Sequence, residues 1–170
     1  MTQQAKVEDH DHSVCINTAL KNAQQICAIR GAKLTELRRQ ILTLVWQSHR
    51  PLGAYVLMDM LEQHSSRKRV APPTVYRSLD FLMKHGLIYK VHSLNAYVGC
   101  SDPSRKRFNA LFICTECGDA REVPSSTIQQ AINLSASQHK FSVKEQRLEI
   151  VGLCHRCKLT RANEENLNGN

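Results

Sequence analysis

The sequence lacks any apolar run near the roughly 18 residues that span a bilayer; its longest candidates, such as residues 110–114, are strand-sized. That excludes a bundle of membrane helices. The first fifteen residues hold three acids, two histidines and one lysine, with no apolar block ahead of a small-residue cleavage site, so no secretory signal is read and a cytoplasmic location is expected. There is no nucleophile elbow, phosphate-binding glycine loop or paired-carboxylate pattern, which leaves no support for a hydrolase, a nucleotide enzyme or a glycosidase. No internal repeat of domain size is found. An even set of cysteines is missing too: the count is 7, which argues against a closed disulfide framework.

What is present is an ordinary globular composition in 170 residues, 42% apolar and 22% charged, enough for one or two domains with cores. The formal charge of +8 is unevenly placed. Residues 1–95 carry 13 Lys+Arg against 7 Asp+Glu, residues 96–170 carry 10 against 8. A polyanion-binding half, if there is one, is the first.

Residues 1–15 are polar and read as a tail. Apolar spacing predicts helices over residues 17–30, 35–48 and 54–63, with Gly31 as a stop and Thr35 as an N-cap. Arg67, Lys68 and Arg69 make a basic loop. Pro72 and Pro73 then suit a helix start, where a missing N–H costs nothing, and the helix should reach about His85 with Gly86 as its stop. Val75, Leu79, Leu82 and Met83 share one stripe, Arg77 and Lys84 project opposite, and Phe81 fits neither side well. From residue 87 the period becomes two: strands at 87–91 and 96–98 around a polar turn at 93–95. Helices followed by a two-stranded wing describe a winged helix-turn-helix.

The polar, Pro103-containing stretch 101–107 is the expected boundary. Beyond it a strand at 108–113, another near 120–123, a helix over 125–137 capped by Ser125 or Ser126, and a third strand over 141–151 suggest a small α+β domain, with residues 163–170 frayed. The whole chain is thus α+β. A tail covers 1–15, a winged domain 16–99, a hinge 100–107, a second α+β domain 108–160, and a tail 161–170.

The strongest chemical signal is Cys114-Thr-Glu-Cys117-Gly118 with Cys154-His-Arg-Cys157. Two residues between thiols let both sulfurs of a tight turn face one ion, and two such turns close a tetrahedron around zinc with no position left for water, which makes the site structural. The competing reading is a redox dithiol, which needs a pair at a helix N-terminus; here both pairs are placed at strand ends. His155 is read as a solvent-facing bystander. The second signal is the 72–84 helix, whose Thr74, Tyr76 and Arg77 offer a hydroxyl, a phenol and a guanidinium near a positive helix end, a set that suits the major groove of DNA. A solvated amphipathic helix would show the same pattern.

Residues 72–82, Pro-Pro-Thr-Val-Tyr-Arg-Ser-Leu-Asp-Phe-Leu, resemble the recognition helix of the ferric uptake regulator family, most of all its zinc uptake regulator branch. Leu34-Thr35 with Arg38, Tyr89-Lys90-Val91 through Asn95-Ala-Tyr97, residues 112–118 and Gly152-Leu-Cys154 support the likeness in the same order over about residues 17–158. The resemblance implies a homodimeric, zinc-responsive repressor that binds a double-stranded DNA operator, with the 108–160 domain dimerising. DNA contacts would fall on Tyr76, Arg77 and Thr74, with Arg38 supporting a backbone contact, although the family's Thr-Pro-Gln-Arg segment here reads Thr35-Glu-Leu-Arg38.

The family's second, exchangeable metal lies between the domains. Cys100 matches the ligand at the wing end and Glu122 the acid after the first knuckle; the hinge position is Tyr89, not His, with His92 three residues on as a substitute. The family's His-rich stretch is replaced by residues 101–107. Each has a bland alternative: Cys100 a small buried hydrophobe, Glu122 a solvated strand residue, His92 a surface histidine. His85 and Asp102 are weaker candidates. Cys27 belongs to a core stripe, Cys15, His10 and His12 to the tail, and Arg105 to Arg107 either track phosphate or keep the linker soluble. An iron or peroxide sensor on the same scaffold and a thiol oxidoreductase are the alternative functions.

Overall fold

The computed structural model describes residues 12–47, 50–64, 70–103, 109–144 and 146–168. Four helices open the chain: α1 (His12–Ile29), α2 (Glu36–Trp46), α3 (Ala54–His64) and α4 (Pro72–Lys84). A two-residue strand β1 (Leu52–Gly53), β2 (Ile88–Val91) and β3 (Ala96–Gly99) form an antiparallel sheet in the order β1-β3-β2. Helical stripes of Ile41, Leu42, Leu57, Val75, Leu79 and Leu82 meet Leu87 and Ile88 of the wing in one buried cluster, so α4 and the wing share one core. The expected helix-turn-helix with a wing is therefore the observed first half.

The prolines act as read: Pro72 and Pro73 occupy the first positions of α4 after Ala71, and Gly86 turns the chain out of the helix at φ +70°. Phe81, the misfit of the stripe, lies 4.3 Å from the His85 ring and beneath the Arg38 guanidinium, 3.5 Å from its ring centre. Thr35 has the extended backbone of a cap, yet its side chain makes no capping hydrogen bond. The Pro51–Gly53 break also supplies the unanticipated strand β1.

The second half builds a sheet in the order β5-β4-β6 from β4 (Asn109–Cys114), β5 (Ala120–Pro124) and β6 (Glu149–Gly152), β5 antiparallel and β6 parallel to β4. The parallel pairing demands a crossover, which α5 (Ser126–Gln138) provides. Its N-cap is Ser125, whose hydroxyl oxygen accepts the Ile128 N–H at 3.2 Å.

Three expectations about elements fail. The third strand shrinks from 141–151 to Glu149–Gly152, because residues 141–144 find no ladder partner and leave Phe141 69% exposed. A helix not foreseen, α6 (His155–Asn168), runs from the second knuckle into the segment 163–170 read as frayed; its polar sequence carries no apolar stripe to betray it. The first helix begins at His12, inside the segment read as a tail. Among the described residues no helix is long and apolar enough to cross a membrane.

A second, smaller buried cluster joins the halves: Val91 and Val98 of the wing pack with Leu111, Ile113 and Ala120 of the second sheet, with Tyr89 against them. Its neighbour Gly99 is sterically obligatory. A Cβ there would lie 2.6 Å from Nε1 of Trp46, whose indole N–H is buried with no hydrogen-bond partner among the described residues. Gly99→Ala should cost about 1–3 kcal/mol by overpacking, read as a lowered urea midpoint with Trp46 fluorescence as the probe.

Candidate metal centre and nucleic-acid interface

The β4–β5 turn and the start of α6 bring four thiols together. The Sγ atoms of Cys114, Cys117, Cys154 and Cys157 all lie within 4.8 Å of one another. A tetrahedron with arms of about 2.3 Å has edges of about 3.8 Å, and the Cys117 and Cys154 sulfurs stand 3.8 Å apart. Gly118 at φ +70° lets the first knuckle curl, and its N–H donates to the Cys114 carbonyl at 3.0 Å.

The Cys154 N–H donates to Cys114 Sγ at 3.3 Å. That bond, with others from the Cys117 and Glu116 amides, holds the Cys114 thiol down to about 6. Cys157 is pushed up to about 12, first by its hydrogen bond to Cys154, then by burial and its other thiol neighbours. Four thiolates this close repel one another, and a divalent cation is what lets all four ionise. Cys157 also sits in the first turn of α6, where the helix end favours negative charge. The donor set therefore fits zinc. His155 is exposed, as read.

On α4, Thr74, Tyr76 and Arg77 are all exposed beside one another, opposite the buried Val75, Ser78, Leu79 and Leu82. Ser78 is satisfied within the helix by the Thr74 carbonyl at 2.9 Å. Arg38 is placed differently from a free surface cation: its guanidinium covers Phe81 and donates to the Lys33 carbonyl at 2.6 Å, fixing the start of α2 against α4. Tyr55, an aromatic off the Leu57–Met58–Leu61 stripe, is 73% exposed on the first turn of α3.

The seam residues are partly gathered. Cys100 is 3% exposed and its thiol donates to the Tyr89 hydroxyl at 3.2 Å; that hydroxyl donates to Glu122 Oε1 at 2.9 Å. The other Glu122 oxygen accepts from the Ser101 N–H at 3.1 Å and its hydroxyl at 2.6 Å. Burial pushes Cys100 up to about 11, with the Tyr89 hydrogen bond offsetting part, and burial also lifts Tyr89 far above the usual phenol range. Tyr89, His92 and Glu122 line one cavity of about 170 Å³, but the His92 side chain is exposed and joins no cluster with Cys100 and Glu122. Among the described residues the four cysteines alone form a metal-competent group.

Of the weaker candidates, His85 accepts through its carbonyl from Arg30 at 3.2 Å, and Asp102 follows the seam. Cys27 is buried in α1 as expected, and Cys15 lies in the first turns of the same helix. His10, Arg67 to Arg69 and Arg105 to Arg107 fall outside the described residues.

Three comparisons bear on this arrangement. The sequence signature of the ferric uptake regulator family matches residues 29–151. The zinc uptake regulation protein of Escherichia coli (strain K12) is 35% identical over 141 residues, 81% of this chain and 80% of its own. A zinc uptake regulator solved in complex with zinc and DNA superposes with a TM-score of 0.80 at 33% identity, over 86% of this chain and 97% of the other. The holo form of XcZur gives 0.75 at 34% identity over 84% and 99%, whereas apo XcZur gives 0.50 at 33% identity over 84% and 97%.

Proposed function

Because the chain belongs to the ferric uptake regulator family, we propose that it is a zinc-responsive DNA-binding transcriptional repressor of zinc uptake and homeostasis genes, with zinc as co-repressor. One observation carries this reading. A single-chain TM-score of 0.80 against a regulator holding zinc and DNA needs both halves and their mutual placement to agree. The partner is a double-stranded operator in the cytoplasm, and the role is regulatory, not enzymatic.

In this reading residues 16–99 form the DNA-binding domain, 100–107 the hinge, and 108–160 the dimerisation and zinc domain. Structural zinc is held by Cys114, Cys117, Cys154 and Cys157, where it ties the β4–β5 turn to α6. Thr74, Tyr76 and Arg77 face the major groove from the N-terminal half of α4, and Arg38 braces that helix for a backbone contact. A homodimer presents two such helices about one DNA turn apart. Phe112 and Val123, exposed apolar residues on one face of the second sheet, supply surface for a second copy.

Cys100 and Glu122, with His92 on the cavity wall that Glu122 also lines, are the proposed ligands of the exchangeable zinc. Such an ion favours one interdomain arrangement, and moving a population from 1:99 to 99:1 takes about 5.5 kcal/mol of preference. A thiol in the set favours zinc over ferrous iron, against an iron or peroxide sensor. Four sulfurs within one coordination sphere favour a metal over dithiol exchange.

The test uses a duplex selected from a random pool by the zinc-loaded protein. Zinc, but not ferrous iron, should raise affinity for it after chelation of labile metal. Cys100→Ser should abolish that rise while native mass spectrometry still counts the structural zinc; zinc-stimulated binding unchanged in this variant would remove Cys100 from the site.

A further inference from the structure

A second carboxylate crosses between the halves, apart from the Cys100–Tyr89–Glu122 seam. Glu149 opens β6, and its two oxygens accept the backbone N–H groups of His92 at 2.6 Å and Ser93 at 3.0 Å. Two consecutive amides aimed at one anion form a nest, and charge-assisted bonds of this kind are about twice as strong as neutral ones. Burial would raise the Glu149 carboxyl, yet bonds from Ser93 and the His92 amide outweigh it and hold the group ionised below its usual range.

The gripped segment is the turn of the wing. Asn95 N–H donates to the His92 carbonyl at 3.2 Å, so residues 92–95 form a β-turn with Ser93 at its second position. Both ends of the wing are thus held by acids of the second sheet: Glu122 on β5 at the base, through Tyr89 and Ser101, and Glu149 on β6 at the tip. Every group in these two grips belongs to the protein itself. The wing shares its core with α4 through Leu79, Leu82, Leu87 and Ile88, so a grip on the wing sets the orientation of α4.

We infer that Glu149 is a positioning residue for DNA reading: it latches the wing turn to the zinc-holding half and so helps set the angle of α4. This rests on the DNA-reading proposal above.

Two variants test it. Glu149→Gln keeps the size but turns one acceptor into a donor facing an amide. Ser93→Pro deletes one N–H at a turn position that proline favours, leaving the sheet untouched. Both are compared with wild type, all zinc-loaded, on the selected duplex and by small-angle X-ray scattering of the free protein.

The expected result is unchanged zinc content, a loss of affinity of about tenfold, within the usual span of coupling between sites, and a broadened distribution of interdomain distances. Wild-type affinity in both variants, or scattering identical to wild type, overturns the latch. Should wild type itself show no zinc-stimulated binding to any duplex, the functional reading fails, and scattering alone still decides whether Glu149 fixes the wing.

Discussion

Cys154→Ser should strip the structural zinc and unfold the second half while the winged half survives. The reason is how little else holds that half together. Among the described residues its buried side chains come down to Ala110, Leu111, Ile113, Cys114 and Ala120, and α5 buries none. The side chains described on α6, residues 155–162, are exposed except Cys157, so this part of the helix is attached through the cysteines at its start and an Arg161–Glu116 ion pair at 3.8 Å. Small cores of this kind commonly need a staple. Apparent zinc affinities of structural sites run to about 10–16 kcal/mol, and that binding energy is folding energy. A serine at position 154 also replaces a soft ligand by a hard one at the sulfur standing 3.8 Å from Cys117.

Native mass spectrometry should find the structural zinc missing from the variant. Thermal unfolding should split into two steps, the earlier one belonging to the second sheet by hydrogen exchange. Exhaustive chelation of wild type should reproduce the same profile. Full zinc occupancy with a single unshifted transition would mean that the cluster is not the staple.

What could be read in the sequence follows from the range of the forces involved. The Pro-Pro start of α4, its stripe of Val75, Leu79 and Leu82, the alternating wing and the paired knuckles are local patterns, and each is written within a few turns of chain. The four-cysteine set is also legible across 36 intervening residues, because thiols in pairs have few other uses in a reducing compartment. Phe81 shows where periodicity stops: it serves a stack with Arg38 and His85, not the apolar core stripe.

Contacts made by docking of the halves left no such trace. Tyr89 meets Glu122 across 33 positions, and the His92 amide meets Glu149 across 57; nothing in an isolated Glu marks it as an acceptor for a distant turn. The polar helix α6 is invisible for a related reason. Helices are found by the face they bury, and the described side chains of α6 bury nothing beyond the half-buried Cys157. Gly99 reads as an ordinary strand end until Trp46 is seen lying against it.

Arg77→Ala should weaken binding to the selected duplex by about 1–3 kcal/mol, roughly 5- to 150-fold, and relax base preference at one position of each half-site. Arg77 is exposed on the turn of α4 after the proline start, between Tyr76 and the buried Ser78, and its opposite face is anchored by Val75 and Leu79 at zero exposure. Truncating it removes reach without touching the core, so stability and zinc content should stay at wild-type values. The bidentate geometry of a guanidinium on guanine O6 and N7 is what makes the loss sequence-dependent. A phosphate contact would behave otherwise: affinity would fall by the same factor on every duplex, and the salt dependence of binding would flatten by about one unit. Arg38→Ala provides the contrast. Its guanidinium is spent on Phe81 and the Lys33 carbonyl, so its loss should lower stability and affinity together while leaving base preference intact. Selecting duplexes anew with each variant separates the cases, since only loss of a base contact changes the sequence that is recovered.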